Sequence, residues 1–192
     1  SSREGIESHQ SDILRTRAAD IGDTLLKVSE SHFIRSQKSY DSGDLERAYD
    51  EAIEAWELML LIESVNPYQA TTQLALAKIA LTQVERGDES FAIQAKDRYL
   101  QLAIDFRGYP TLVGTAATAM ASLGEYNEAI RLANRAIGTE STTKPWAKAW
   151  YAKGISEYFL GDVSLGLKSL ITATNKEPGS STSKLAHKAL SN

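Results

Sequence analysis

A glycine followed by an acidic residue recurs four times along the chain, and this repetition constrains the fold more than any other feature. The pairs are Gly43-Asp44, Gly87-Asp88, Gly124-Glu125 and Gly161-Asp162, with successive glycines 44, 37 and 37 residues apart. Each pair separates two stretches with the apolar spacing of a helix. Glycine suits the left-handed residue that ends a helix, and an acid suits the start of the next one. The pattern predicts four helix-turn-helix units that stack, because a single hairpin cannot bury its apolar face.

Two of these units carry further residues at fixed offsets. With Ala147 as position 1, the last unit has Trp150 at 4, Gly154 at 8, Gly166 at 20, Leu170 at 24, Ala173 at 27 and Pro178 at 32. The unit starting at Pro110 has Ala117 at 8, Gly124-Glu125-Tyr126 at 15 to 17 and Ala136 at 27. Small residues at 8, 20 and 27 let helices approach closely, and bulky residues at 4 and 24 fill the spaces between them.

In these positions the sequence resembles the tetratricopeptide repeat, a unit of about 34 residues. The resemblance is closest over 110–178 and looser over 29–109. It departs from the family at Glu157, which stands where position 11 is usually tyrosine, and at Gly166, which replaces the usual alanine. The resemblance implies an all-α fold, a right-handed α-solenoid of about four repeats. Its expected units are 29–66, 67–109, 110–146 and 147–178, after a helical extension at 1–28 and before a capping helix at 179–192.

The two N-terminal units are longer than the family's repeat. In the first unit, the second helix is predicted to run on through Ile62 and to stop near Asn66-Pro67, which accounts for the spacing of 44 residues. In the second unit, extra residues are predicted to lengthen the helix that contains Ala95 and Ala103.

The segments that flank the repeats are predicted to be helices. In the segment before the repeats, apolar or small residues recur at steps of 4, 3, 4 and 3 residues, which is heptad spacing over barely two heptads. They are Leu14, Ala18, Ile21, Leu25 and Val28. This helix either packs on the first repeat or self-associates as a homodimer through residues 10–28. After Pro178, an amphipathic helix is expected to cover the open end of the last repeat with Leu185, Ala186, Ala189 and Leu190.

Composition excludes several classes of protein. Cysteine is absent, so there is no disulfide scaffold and no thiolate chemistry, and no apolar run approaches the roughly 18 residues of a membrane span. Residues 41–63 carry eight acids and one base, whereas residues 131–192 carry nine bases and four acids. The bases form no dense stripe with interleaved aromatics, so nucleic-acid binding is not expected. The chain opens without methionine or an apolar leader; we expect a trimmed or processed chain and leave the compartment open.

No residue pattern points to catalysis or to a metal or cofactor. His9, His32 and His187 are far apart, and none stands in a ligand-spaced motif. The adjacent Asp50 and Glu51 do not face one another on a helix, so they do not make an acid-base pair. We therefore expect neither enzymatic activity nor a cofactor.

The resemblance instead implies a partner-binding surface. In the tetratricopeptide family the first helix of each hairpin lines a concave groove. Carried over to this sequence, that groove would include Phe33, Gln37, Tyr40, Leu74, Leu81, Thr118, Lys148, Tyr151, Ile155, Tyr158 and Phe159. The aromatic members could equally pack against neighbouring helices. The family's clamp for acidic chaperone tails needs lysine and asparagine where this chain has Phe33 and Gln37, so that type of recognition is disfavoured.

The sequence thus predicts a non-catalytic adaptor or scaffold that binds a segment of another protein in its groove. The alternative is a self-assembling structural protein that uses the N-terminal heptads.

Overall fold

The computed structural model describes residues 2–62, 67–139 and 147–192, and it describes side chains from residue 12 onward and, in the second range, from residue 69. Within these ranges the chain is entirely helical between its turns and loops. The α-helices are α1 (Ser2–Asp41), α2 (Leu45–Leu60), α3 (Pro67–Glu85), α4 (Ala92–Asp105), α5 (Pro110–Ser122), α6 (Tyr126–Gly138), α7 (Ala147–Phe159), α8 (Val163–Lys176) and α9 (Ser181–Ser191). A short 3₁₀ helix, Glu89–Phe91, precedes α4.

All four predicted glycines end a helix in the left-handed conformation. Gly43, Gly87, Gly124 and Gly161 have φ angles of 85°, 99°, 76° and 98°. The acidic residue after each glycine donates its backbone N–H to the carbonyl five residues earlier, at 2.9–3.0 Å, which closes the same turn four times. Three of the four acids, Asp44, Asp88 and Asp162, also cap the following helix through a side-chain oxygen.

The chain divides into two compact units, Ser1–Ile79 and Ala80–Asn192. In the first unit, α1 and α2 form a hairpin, and two buried serines of α1 donate hydrogen bonds to carbonyls of α2. Ser29 Oγ donates to the Ala55 oxygen at 2.7 Å, and Ser36 Oγ donates to the Ala48 oxygen at 2.6 Å. These bonds hold the two helices closely together across an alanine-lined contact.

The N-terminal part of α1 extends beyond this hairpin. The predicted extension and the first helix of the first repeat are one continuous helix. Every side chain from Asp12 to Asp20 is exposed, and Leu25 is the first apolar heptad residue that is half-buried. The prediction that this helix packs on the first repeat is therefore wrong for residues 12–20, because α2 is too short to reach them.

In the second unit, α5–α6 and α7–α8 are consecutive hairpins, and α4 and α9 pack at their two ends. Alanines dominate the contacts, and Ala117, Ala129, Ala136, Ala152 and Ala173 are all fully buried. Leu170, the bulky residue at position 24, is also buried, whereas Trp150 at position 4 is only half-buried. Its indole nitrogen is nevertheless buried, and it has no hydrogen-bond partner among the described residues.

Three predictions about helix ends and faces are wrong. Helix α2 ends at Leu60, where Leu61 caps it, and does not run on through Ile62; the predicted stop near Asn66 lies outside the described residues. Helix α4 is no longer than α8, because the 3₁₀ turn and residues 106–109 take up the extra length of the second repeat. In α9, Ala186 is buried as expected, but Leu185 is 50% exposed because it lies at the edge of the packed face.

Candidate functional site

The predicted groove residues of α7 separate into two groups. Tyr151 and Ile155 are half-buried and pack against a cluster of Leu170, Ala173 and Ala186, to which α9 contributes. Burial raises the pKa of the Tyr151 phenol above its ordinary value. These two side chains therefore hold the capping helix in place and offer little surface to a partner.

The C-terminal end of α7, by contrast, is open. Tyr158 is 46% exposed and Phe159 is 61% exposed, because α7 ends there and the chain turns away at Gly161. Lys148, at the other end of α7, is also exposed.

Phe159 belongs to an aromatic cluster that joins two hairpins. Its ring stacks on the ring of Tyr126, with centroids 5.2 Å apart and planes 9° from parallel. Tyr158 meets Phe159 edge to face at a centroid distance of 5.6 Å. We call Tyr126, Tyr158 and Phe159 the aromatic cluster. Leu160, 49% exposed, follows it directly in the chain.

The sequence did not assign Tyr126 to the groove. It stands in the turn triplet Gly124-Glu125-Tyr126 at the start of α6, whereas the resemblance implies a groove lined by the first helix of each hairpin. The signal that could have identified it is the regular spacing of the turns, because residues that flank equivalent turns of neighbouring hairpins lie side by side in a stack. The aromatic cluster thus combines two residues before a turn, Tyr158 and Phe159, with one residue after the preceding turn, Tyr126.

Thr118 lies where α5 meets α7. Its hydroxyl donates to the Gly114 carbonyl at 3.0 Å and lies 3.4 Å from the Lys148 carbonyl. A Cβ on Gly114 would stand 3.7 Å from the backbone nitrogen of Ala149, so these two helices are in van der Waals contact. The small residues of α5 therefore permit close helix packing, and Thr118 remains half-buried at its edge.

The other predicted residues lie on α1 and α3. Tyr40 packs against a cluster that includes Ala52 and Leu76, and the Lys78 ammonium lies 4.7 Å above its ring. Gln37 is exposed, whereas Phe33, Leu74 and Leu81 are half-buried. The predicted groove residues fall into both compact units. The first unit contains Phe33, Gln37, Tyr40 and Leu74, and the second contains Leu81 and the residues of α5 and α7.

A charged contact in the first unit joins α1 to α2. Glu51 Oε2 lies 2.6 Å from His32 Nδ1, and Arg35 Nε donates to both Glu51 oxygens at 3.1 Å. The hydrogen bond from His32, and after it the one from Arg35, holds the pKa of the Glu51 carboxyl below its ordinary value. The arrangement ties the two helices together.

No metal or membrane-spanning site emerges from the part of the chain that is described. No group of three or more His, Asp or Glu side chains there is placed to hold a metal ion. No helix in the same part is both long enough and apolar enough to cross a bilayer.

Together, the helical hairpins, the four equivalent turns and the small residues at the helix contacts define a fold of the tetratricopeptide-repeat class, as predicted. Solved structures that share it include the following two. A tetratricopeptide repeat protein from Parabacteroides merdae ATCC 43184 is 20% identical and superposes with a TM-score of 0.61 over 85% of this chain and 59% of its own. The MamA protein is 17% identical, with a TM-score of 0.60 over 85% of this chain and 84% of its own.

Sequence comparison adds no nearer relative. No family model matches the chain, and no curated protein matches it. The chain spans less than two thirds of the Parabacteroides protein, so these likenesses establish the fold alone.

Proposed function

We propose that the chain is a non-catalytic adaptor that binds a segment of another protein on the surface around the aromatic cluster. The observation that carries the proposal is the exposure of Tyr158 and Phe159, next to Leu160, at the end of a helical hairpin. Aromatic side chains of this kind are enriched among the residues that dominate binding energy, because they bury a large area and lose little conformational entropy. The likeness to helical-repeat proteins supports an interaction role.

The geometry favours the end of α7 over the rest of the predicted groove. Tyr151, Ile155 and Tyr40 already pack against helices of their own unit. A partner would have to displace these contacts to use them, whereas Tyr158 and Phe159 are available without rearrangement. Lys148 adds an exposed charge on the same helix, which is expected to affect the rate and salt dependence of association more than affinity.

The test starts with affinity capture from the source organism and identification of the bound protein by mass spectrometry. The purified partner is then titrated by calorimetry against wild type, Tyr158→Ala/Phe159→Ala, and the control Ile93→Ala/Ile104→Ala, which removes exposed apolar residues of α4 instead. We expect the aromatic variant to stay folded by circular dichroism and to lose about 2 kcal/mol or more of binding energy. Binding within twofold of wild type would show that the partner uses another surface.

A second candidate function is self-assembly through α1. Leu14, Ile21 and Val28 are 66%, 61% and 42% exposed, and they stand at heptad spacing on one side of the helix. Pairing of two such helices would bury these residues in a homodimer. Sedimentation of Leu14→Glu/Ile21→Glu tests this candidate, with Thr16→Glu/Ala19→Glu, two exposed positions away from the seam, as the control. A dimer that survives in the leucine-isoleucine variant would exclude it.

A further inference from the structure

One flank of α8 carries an apolar stripe that no described residue covers. Val163, Leu167 and Ile171 lie four residues apart, so they follow one another along one side of the helix. They are 46%, 37% and 50% exposed, whereas Leu170 and Ala173 on the adjacent side are buried against α7 and α9. We call these three residues the α8 stripe.

The α8 stripe lies in a strongly basic part of the chain. Residues 163–192 contain four lysines and only one acid, Glu177. Lys168 on α8 and Lys184 and Lys188 on α9 are exposed, and none of the three forms an ion pair within the described ranges. The part of the chain that contains the α8 stripe therefore combines exposed apolar area with uncompensated positive charge.

Helix α2 presents the opposite combination. Four exposed acids are spaced by four, four and three residues, so they form one acidic side of the helix. They are Glu46, Asp50, Glu54 and Glu57. None of the four pairs with a base among the described residues, and like charges at this spacing repel one another. Leu61, 67% exposed, continues the same side one turn further on.

We propose that the acidic side of α2 in one copy of the chain docks on the α8 stripe and its lysines in a second copy. The two helices are of similar length, 16 and 14 residues, so they can lie along each other. The lysines would neutralise the carboxylates, and Leu61 would cover part of the stripe. A bilayer could attract the same lysines, but it would leave the four carboxylates unpaired, and the chain as a whole has a net charge of −4.

The contact joins two different surfaces, so each copy keeps one free surface of each kind. Association of this type continues from copy to copy unless it closes into a ring. It uses neither the aromatic cluster nor the heptads of α1, so the variants that test it leave the residues of the partner binding proposed above unchanged.

Sedimentation velocity of the full chain tests the proposal. We expect the mass of wild type to rise with concentration at about 50 mM salt and to fall towards the 21.0 kDa monomer at about 500 mM salt, because the contact is ionic. Leu167→Glu/Ile171→Glu and Asp50→Lys/Glu54→Lys should each weaken association by roughly tenfold or more. The controls Ile93→Glu and Asp97→Lys, on the exposed side of α4, should associate like wild type.

Mixing the two interface variants tests whether the two surfaces bind each other. The Leu167→Glu/Ile171→Glu chain keeps an intact α2, and the Asp50→Lys/Glu54→Lys chain keeps an intact α8 stripe. We therefore expect a 1:1 heterodimer that grows no further. Circular dichroism and thermal melting check that both variants are folded.

Three outcomes would overturn the proposal. They are a wild type that stays monomeric at low salt, a mixture that stays monomeric although wild type associates, and association that is abolished by Leu14→Glu/Ile21→Glu alone. Stripe-dependent binding of monomeric wild type to phosphatidylserine vesicles would assign the face to a membrane and would equally overturn it.

Discussion

Gly154 and Gly166 bring the backbones of α7 and α8 into direct contact. A Cβ on Gly154 would lie 2.9 Å from the Gly166 carbonyl oxygen, and a Cβ on Gly166 would lie 2.7 Å from the Gly154 carbonyl oxygen. Real Cβ atoms do not approach backbone atoms this closely, so neither position accepts a larger side chain without separation of the helices. The short distance between the two helix backbones therefore explains why Gly166 stands at position 20, where the family usually has alanine.

The first prediction concerns this contact. Gly154→Ala should destabilise the chain by about 1–3 kcal/mol, because the added methyl group meets backbone atoms of α8 that cannot move independently. Chemical denaturation followed by circular dichroism measures the change. Gly138→Ala is the matched control, since nothing lies within 4 Å of its Cβ position and its φ is not positive. An equal effect of the two substitutions would contradict the close contact.

The second prediction concerns Ala173, which is fully buried in a cluster with Leu170 of α8 and Ala186 of α9. Ala173→Phe should overpack this site and cost about 1–3 kcal/mol or more. Thermal melting compares it with Asn175→Phe, an exposed position two residues further along α8. An unchanged melting midpoint would show that position 27 of this repeat is not a close contact.

The third prediction concerns the buried carboxyl group of Glu157. One of its oxygens accepts a hydrogen bond from Ser169 Oγ at 2.8 Å, whereas Oε2 is buried and has no partner in the described part of the chain. Ser169→Ala removes the donor and should cost about 1–3 kcal/mol, because the carboxyl group then loses its side-chain partner. Glu157→Leu/Ser169→Ala should be less destabilised than Ser169→Ala, since the buried carboxyl group is removed together with its donor.

Chemical denaturation of the single and double variants gives these energies, with Ser164→Ala as the exposed control on α8. A double variant that is less stable than Ser169→Ala would mean that Glu157 contributes through a contact other than Ser169.

The fourth prediction is a pH dependence of the α1–α2 hairpin. The bonds from His32 and Arg35 lower the folded-state pKa of Glu51, so their stabilisation is complete above the unfolded-state value of about 4.3 and is lost as the pH falls through the lowered folded-state pKa. Glu51→Gln should reduce the free energy of unfolding at neutral pH by about 0.5–1 kcal/mol. The difference from wild type should shrink below about pH 4.

Urea denaturation at a series of pH values checks this, with Glu54→Gln as the control, because Glu54 is an exposed acid on the same helix that forms no ion pair with another described residue. A Glu51→Gln difference that is constant down to the acid limit would show that charge pairing is not its cause.

Local signals in the sequence were sufficient for the repeat architecture. The Gly-acid pairs predicted four turns, and all four glycines adopt the left-handed conformation, because the preference of glycine for positive φ acts within a single residue. The small residues of the last hairpin were likewise predictable, since helical spacing alone places Gly154 and Ala173 on packed faces. The end of α2 was not predictable from the sequence, because Leu58, Met59 and Leu60 are equally compatible with a longer helix.

What the tertiary structure alone decided is which of the chemically similar side chains are buried. Tyr151 and Tyr158 lie seven residues apart on one side of α7, so the sequence pattern predicts the same environment for both. Tyr151 is half-buried because α9 packs beside it, and Tyr158 is exposed because the helix ends one residue later. Burial depends on helices that are distant in sequence, so it follows from the way hairpins stack and cannot be obtained from the periodicity of a single helix.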